Sequence, residues 1–222
     1  MLRNVRLEDI SDGKLYKEND MVRTDTCNCS GCKKVCCIGM GKTIILDPYD
    51  VCLLTCGLNT TFEELLNGAL ELNVVDGCIL PNLKMREEDN ACYFLRQDNL
   101  CNIHSIRPGI CRMFPLGRYW EDETKFSYIF QTGECNKEEL AKIKVKKWIG
   151  IDDISTYNEC VVMWHSYMAA IRESMENLND EQKKILNMYN LRTFYQTPYI
   201  GMENFRMEFS DRIIKAREMF GI

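Results

Sequence analysis

Apolar residues recur at steps of three and four positions through the last third of the chain, which is the spacing of one face of an α-helix. The pattern predicts three helices, over residues 154–178, 180–195 and 205–220. Pro198 and Gly221 supply the stop signals of the second and third helices. These segments contain one cysteine and one histidine. We therefore assign them to packing or to recognition of a partner.

The preceding residues form short apolar runs separated by turn residues, a pattern typical of β-hairpins. It predicts three hairpins, over 72–85, 92–103 and 116–131. Asp76-Gly77, at the centre of the first, is the residue pair of a type I′ turn. The basic segment 137–148 predicts a further helix.

Two more helices are predicted between the hairpins and a cysteine-rich segment near the start of the chain. A short strand is predicted over 43–46, followed by a helix that has Asp47 as its N-cap and ends at Gly57. Overlapping capping boxes that begin at Thr60 and Thr61 predict the second of these helices.

These elements together predict an α+β protein. Short hairpins and helices form a cysteine-rich region, and a layer of α-helices follows it. The predicted domains are a cysteine-cluster metal-binding domain over 1–136 and a helical region over 137–222. In an alternative division the helical region is part of the same domain.

Composition and charge exclude several classes of protein. Of the 222 residues 45% are hydrophobic and 27% charged, as in ordinary globular proteins, and the net charge of −5 lacks the basic excess of a nucleic-acid binder. No apolar run reaches the roughly 20 residues of a membrane-spanning helix, and the first residues do not form a signal peptide. We expect a cytoplasmic protein that binds neither nucleic acid nor a membrane, and the oligomeric state stays open.

Cysteine usage indicates metal binding. The chain has thirteen cysteines and two histidines. In a reducing compartment this excess is better explained by metal than by disulfide bonds, and an odd number leaves at least one thiol outside any disulfide framework. Because histidine is scarce, sulfur must supply most ligands, which favours zinc or iron–sulfur over copper, magnesium or calcium.

Five of the thiols lie within the eleven residues 27–37. Cys29-x2-Cys32 has the turn spacing that lets two sulfurs face one metal ion. So short a segment cannot build a hydrophobic core, and its order must come from sulfur–metal bonds. Adjacent side chains diverge, so we expect Cys36 and Cys37 to serve different centres.

The remaining cysteines divide into two groups. Cys111 follows Pro108 near the positive end of a predicted helix, and Arg107 and Arg112 add positive charge, so its thiolate is favoured. A packing role, with the thiols buried like small apolar side chains, is assigned to Cys52, Cys56, Cys78 and Cys160.

The order of the other cysteines resembles a known family. The matching residues are Cys29-x2-Cys32-x3-Cys36-Cys37, Leu46-Asp47-x2-Asp50, Cys92-x-Phe94-Leu95, Cys101-x-Ile103-His104-x2-Arg107-Pro108-x2-Cys111-Arg112-x-Phe114-Pro115-Leu116 and Cys135. They are similar to a bacterial and archaeal cysteine-cluster family of zinc- or iron-chelating domains that includes flagellin lysine-N-methylase. The resemblance implies eight metal ligands, Cys29, Cys32, Cys36, Cys37, Cys92, Cys101, Cys111 and Cys135. Cys27 lies outside the pattern, and His104 is better explained as a residue bonded to backbone or to a ligand sulfur than as a ligand.

Two kinds of centre fit eight thiolates. They suit two tetrahedral zinc ions with four thiolates each, or one [4Fe–4S] cluster held by four thiolates with the others spare or on a second metal. Flagellin lysine-N-methylase is thought to carry an iron–sulfur cluster, and the resemblance therefore favours iron–sulfur slightly over zinc.

The predicted function is that of a metal-binding protein whose centre has a structural or redox role. The alternative, implied by the resemblance, is a protein lysine N-methyltransferase that uses S-adenosylmethionine and acts on a protein bound through the helical region. No glycine-rich nucleotide loop follows a predicted strand, which argues against the alternative. The sequence leaves open whether the protein is an enzyme and which residues would be catalytic.

Overall fold

The computed structural model describes residues 6–24, 36–134 and 141–222. Within these residues short strands alternate with helices, in the order α1 (Leu7–Ile10), β1 (Met21–Thr24), α2 (Pro48–Leu58), α3 (Phe62–Leu66), β2 (Leu70–Val75), β3 (Cys78–Leu83), α4 (Gly109–Met113), β4 (Leu116–Trp120), β5 (Phe126–Phe130), β6 (Ala141–Lys144), α5 (Val145–Ile149), α6 (Ile154–Met175), α7 (Asp180–Leu191) and α8 (Phe205–Phe220). The α+β fold class predicted from the sequence is confirmed.

The chain divides into two compact units, each built from two segments. The first contains residues up to Gly41 together with Met85–Ile154, and the second contains Lys42–Lys84 together with Ser155–Ile222. The division into a domain over 1–136 and a helical region over 137–222 stays a prediction.

In the first unit, β1 and β6 form an antiparallel pair in which Val22 lies opposite Ile143. Strand β6 and the short helix α5 replace the helix predicted over 137–148, so that prediction is wrong for residues 141–144. Pairing with a strand about 120 positions earlier in the chain overrides the local helical pattern, as tertiary context often does. Residues 137–140 lie outside the described part of the chain.

The hairpin of β4 and β5 is the second strand pair of this unit, and it confirms the prediction made for 116–131. Tyr16 adds one antiparallel bridge to Tyr128 on β5. At the turn, the carboxylate of Glu121 accepts hydrogen bonds from Lys125 and from the buried hydroxyl of Ser127. Charged and polar side chains therefore hold the turn of this hairpin.

In the second unit, β2 and β3 form the hairpin predicted around Asp76-Gly77. Both turn residues have positive φ, 50° for Asp76 and 80° for Gly77, as a type I′ turn requires. The amide of Asn187 on α7 fixes this turn, because it donates to the carbonyl oxygen of Gly77 (3.0 Å) and accepts from the N–H of Ile79 (2.8 Å).

Capping residues determine where α2 and α3 begin, as predicted. Asp47 and Thr61 occupy the two N-cap positions, and each takes part in a complete capping box. Helix α2 does not end at Gly57; it continues to Leu58 and ends where Asn59 adopts a left-handed conformation with φ 52°. Asparagine is among the non-glycine residues that tolerate this conformation best. The strand predicted over 43–46 is reduced to one bridge, between Ile45 and Asn82.

Helices α6, α7 and α8 confirm the three predicted C-terminal helices. Their shared core is aromatic, with Trp164, Phe194 and Phe209 in mutual ring contact at centroid distances from 5.1 to 6.2 Å. The turn Arg192–Gln196 after α7 is π-helical. No helix in the described part of the chain is both long and apolar enough to cross a membrane.

Candidate metal centre

Cys36 and Cys37 lie at the point where the description of the chain resumes after residue 35. Their Sγ atoms are 3.7 Å apart, far beyond the roughly 2.05 Å of a disulfide bond. The two side chains therefore converge, and the expected divergence of the side chains is wrong; that the two thiols serve different centres stays a prediction. Both residues are half-buried.

Cys92 is held against Cys37 through the backbone. Its N–H donates to the carbonyl oxygen of Cys37, with an N···O distance of 2.7 Å. Ile38 and Ala91, the next residues on each side, form an antiparallel bridge. Cys92 is buried, with 7% of its surface exposed. A residue 55 positions later in the chain thus lies beside the adjacent cysteine pair.

Cys101 lies in a tight loop, and not in a regular strand of the hairpin predicted over 92–103. An isolated bridge joins Leu95 to Cys101, and no regular strand forms within these described residues. The N–H of Asn102 donates to the carbonyl oxygen of Phe94 (2.8 Å). The prediction of regular strands is wrong because each predicted strand contains a turn: the N–H of Leu95 donates to the carbonyl oxygen of Cys92 (2.9 Å), and that of His104 to the carbonyl oxygen of Cys101 (3.3 Å).

An arginine that the sequence analysis did not identify supports this loop. Arg86 donates to the carbonyl oxygen of Leu95 (2.6 Å) and forms an ion pair with Asp89 (2.6 Å). Asp89 in turn accepts from the N–H of Ala91 (3.1 Å), directly before Cys92. The sequence signal for this interaction is the spacing of Arg86 and Asp89, three positions apart and just before Cys92. Such a pair can form an ion pair that orders the loop beside the cysteine.

Cys111 is the third residue of α4, which begins after Pro108 as predicted. Arg112 beside it is buried and directs its guanidinium to carbonyl oxygens of the same loop, those of Arg107 (2.8 Å) and Ser105. It also donates to the carbonyl oxygen of Gly150 (3.4 Å). Arg112 therefore fixes the backbone that carries Cys111, beyond adding the positive charge that the sequence analysis assigned to it.

Electrostatic interactions connect the five described thiols of this region. The pKa of Cys37 is raised, first by a hydrogen bond with Cys36, then by burial and by the charges of Cys36, Cys101 and Cys111. Burial is the largest cause that raises the pKa of Cys92, and the charges of Cys101 and Cys36 add to it. Thiols grouped in this way become thiolates together only when a cation compensates their charge, which a metal ion can do.

Three of the eight cysteines in the implied ligand set, Cys29, Cys32 and Cys135, lie outside the described residues, as does Cys27. In the part of the chain that is described, no group of three or more Cys, His, Asp or Glu side chains is arranged to hold a metal ion. The assignment of all eight ligands and the role of His104 stay predictions.

The cysteines assigned to packing do not all behave alike. Cys52, Cys78 and Cys160 are buried, with exposed fractions from 1% to 3%. Cys56 is exposed, so the packing assignment is wrong for it. It lies one helical turn after Cys52, and the two sulfurs are 3.9 Å apart.

Comparison with known proteins gives one clear relationship. Residues 28–146, more than half of the chain, match the model of the family CxxCxxCC, described as "Putative zinc- or iron-chelating domain". The match contains every cysteine of the implied ligand set. No solved structure matches the chain. From this match and the grouped cysteines we conclude that the chain belongs to the CxxCxxCC family of zinc- or iron-chelating domains.

Proposed function

We propose that this protein binds zinc or iron through a cluster of cysteine thiolates, and that the resulting centre has a structural or a redox role. The carrying observation is the 3.7 Å separation of the Cys36 and Cys37 sulfurs, beside which the backbone holds Cys92. The proposed ligand set consists of Cys29, Cys32, Cys36, Cys37, Cys92, Cys101, Cys111 and Cys135.

The sulfur separation fits one ion that takes both thiolates. Two thiolates on one tetrahedral ion, with metal–sulfur bonds of about 2.3 Å, lie about 3.8 Å apart. The 3.7 Å between Cys36 and Cys37 is close to that edge length. Donor chemistry agrees, because soft thiolates select zinc and iron–sulfur centres over hard cations.

The same distance bears on the type of centre. Each iron of a [4Fe–4S] cluster takes one protein thiolate, so two of its ligands bind different corners of the cluster. Cys36 and Cys37 therefore suit a mononuclear tetrathiolate ion, or one iron of a [2Fe–2S] cluster. In a [4Fe–4S] centre, the two sulfurs would either move apart to bind different irons or leave only one of the two cysteines as a ligand.

The surrounding residues hold the sulfurs in place. Arg86 and Asp89 order the loop around Cys92, and Arg112 orders the loop that carries Cys111. Such contacts outside the ligand shell orient metal ligands and tune their chemistry. A bound zinc ion would supply folding free energy, whereas an iron–sulfur cluster would also supply a site for electron transfer.

Metal and sulfide analysis of the full chain, purified without oxygen, tests the proposal. We expect zinc or iron in stoichiometric amounts. Zinc without acid-labile sulfide would assign tetrathiolate ions, and iron with equal sulfide would assign a cluster. Folded protein that contains neither metal, with its thiols open to alkylation, would refute the proposal.

A further inference from the structure

A second group of sulfur atoms lines a cavity in the second unit. The cavity has a volume of about 240 Å³, and its wall includes Cys52, Cys56, Phe62, Tyr195 and Tyr199. Cys52 is buried at 3% exposure, whereas Cys56 is exposed. One thiol therefore forms part of the interior while the other is open to solvent.

Helix α2 sets the spacing of the two thiols. Residues four apart face the same side of a helix, and the Sγ atoms of Cys52 and Cys56 are 3.9 Å apart. This value is close to the edge of about 3.8 Å between two thiolates on one tetrahedral ion with bonds of about 2.3 Å. In the absence of metal, the same separation permits an S–H···S contact.

The helix opposes the other common fate of a thiol pair, a disulfide bond. Side chains four apart on a helix have Cβ atoms about 5–6 Å apart, whereas a disulfide needs about 3.8 Å. Closing the bond would require α2 to unwind near its end. Two thiolates bound to one metal ion lie about 3.8 Å apart, whereas the sulfurs of a disulfide lie about 2.05 Å apart. A metal ion can therefore join Cys52 and Cys56 without unwinding the helix.

The position of the pair on α2 favours a cation. Cys56 lies in the last turn of the helix, at the negative end of the helix dipole. Residues 55–58 of that turn include no Lys, Arg or His. Arg212 is the positive side chain whose charge acts on Cys52, and a divalent ion bound to Cys56 would add positive charge at the helix end itself.

We propose that Cys52 and Cys56 form a second, two-thiolate metal site that binds a thiophilic divalent ion, with Zn²⁺ as the physiological candidate. Binding converts two thiols to thiolates and releases two protons for each ion bound. Among the described residues, no third Cys, His, Asp or Glu completes the site. Two coordination positions therefore open toward the cavity, where water or a small donor ligand takes them.

This composition predicts how the site differs from the cysteine-cluster centre. With two protein ligands instead of four, it binds more weakly and exchanges its ion with solution. A mild chelator removes this ion first. The site does not depend on the centre proposed above, because it uses neither the same cysteines nor the same unit of the chain.

Cadmium titration of the full chain tests the proposal, after dialysis against a mild chelator. Cd²⁺ prefers thiolates, and its binding is followed by the ultraviolet sulfur-to-cadmium charge-transfer band. We expect the wild-type protein to bind one equivalent of Cd²⁺ at this site. Cys56→Ser and Cys52→Ala should each abolish this binding, and the control variant Cys160→Ser should retain it. Cys56 is exposed, so its replacement by serine leaves the fold intact.

Alkylation gives a second readout that a lone exposed thiol would not reproduce. Cd²⁺ should slow alkylation of Cys56 at least tenfold in the wild-type protein but not in Cys52→Ala. Retention of the cadmium equivalent in Cys56→Ser, or equal slowing in Cys52→Ala, would overturn the two-thiolate site. We expect Cys37→Ser to lose metal from the cysteine-cluster centre and still to bind the equivalent of Cd²⁺ at Cys52 and Cys56. That result would show that the two sites are independent.

Discussion

At the scale of single residues, the distance between the Cys36 and Cys37 sulfurs bears on whether the two thiolates bind one metal ion or two. Adjacent residues in an extended strand point apart, but here the 3.7 Å contact brings both thiols to one side of the backbone. One ion can therefore take both.

If one ion takes both thiolates, as we propose, Cys36→Ser and Cys37→Ser should remove the same metal ion. The double variant should then lose no more metal than either single variant, as residues that act as a unit are non-additive. Elemental analysis of the three purified variants measures this. Cys160→Ser is the matched control, since Cys160 is buried in α6 and its loss should leave the metal content unchanged. If the losses of the single variants add in the double variant, the two thiolates bind different ions.

Glu121 offers a residue-scale test in the same unit that does not involve metal. Hydrogen bonds from Lys125 and Ser127 lower the pKa of its carboxyl to about 2. A carboxyl whose pKa is lower in the folded chain stabilises the fold at neutral pH, and this contribution is lost as pH falls from about 4.5 toward 2. Carbon-13 NMR titration of the side chain measures the pKa directly.

The variant Lys125→Met should raise the pKa of Glu121 toward its ordinary value, since it removes the largest single cause of the shift. Lys84→Met removes the same charge from the second unit and serves as the control. An unchanged pKa for Glu121 in Lys125→Met would show that the turn does not hold the ion pair in solution.

At the scale of elements, the side chain of Asn187 joins α7 to the β2–β3 hairpin through two hydrogen bonds. Asn187 is buried at 7% exposure and satisfies both a donor and an acceptor of the type I′ turn. Gly77 is exposed and Ile79 is half-buried, so each of these hydrogen bonds contributes about 0.5–1.5 kcal/mol to stability. The amide therefore matters for stability more than its position on a polar helix suggests.

We expect Asn187→Ala to lower the free energy of unfolding by about 1–2 kcal/mol, because the buried amide of Asn187 makes two hydrogen bonds to the backbone of the hairpin and both are lost. Urea unfolding followed by circular dichroism measures the difference. Met188→Ala is the control on the same helix, since Met188 is 50% exposed. Equal losses in the two variants would contradict the assigned role of Asn187.

At the scale of the whole molecule, the two units are stabilised differently. The second has an aromatic core that includes Trp164, Phe194 and Phe209, whose burial does not depend on sulfur chemistry. The first contains the cysteine cluster, and we expect metal binding there to be coupled to folding.

Removal of metal should therefore increase hydrogen exchange in the first unit, above all at the N–H of Cys92 and in α4. Protection in α6 and α8 should persist and serve as the internal control. Exchange measured by mass spectrometry, with and without chelator, provides the comparison. Equal loss of protection in both units would contradict a metal-dependent first unit.

How far the sequence predicts this molecule depends on how local the signals are. The caps at Asp47 and Thr61 and the Asp76-Gly77 turn involve neighbouring residues, and all three were predicted correctly. Strand β6 was missed because its partner, β1, lies far away in the chain.

The candidate site shows the same limit. Cysteine type and spacing identified the thiols and the family, but the convergence of Cys36 with Cys37 and the clamp made by Arg112 depend on tertiary contacts. The sequence analysis did not predict that Cys56 is exposed. Periodicity shows which residues share a face of a helix, but it does not show whether that face borders a cavity open to solvent.

Methylation of protein lysines rests on the resemblance to flagellin lysine-N-methylase alone and stays a prediction. Calorimetry with S-adenosylmethionine on the metal-loaded chain tests it. Binding would support an enzymatic role, and the absence of heat at millimolar ligand would exclude it.

X-ray absorption at the zinc and iron edges of the purified full chain tests the central claim most directly. We expect a first coordination shell made of sulfur alone, at about 2.3 Å from the metal. A shell of nitrogen and oxygen, or protein that is folded without either metal, would contradict it.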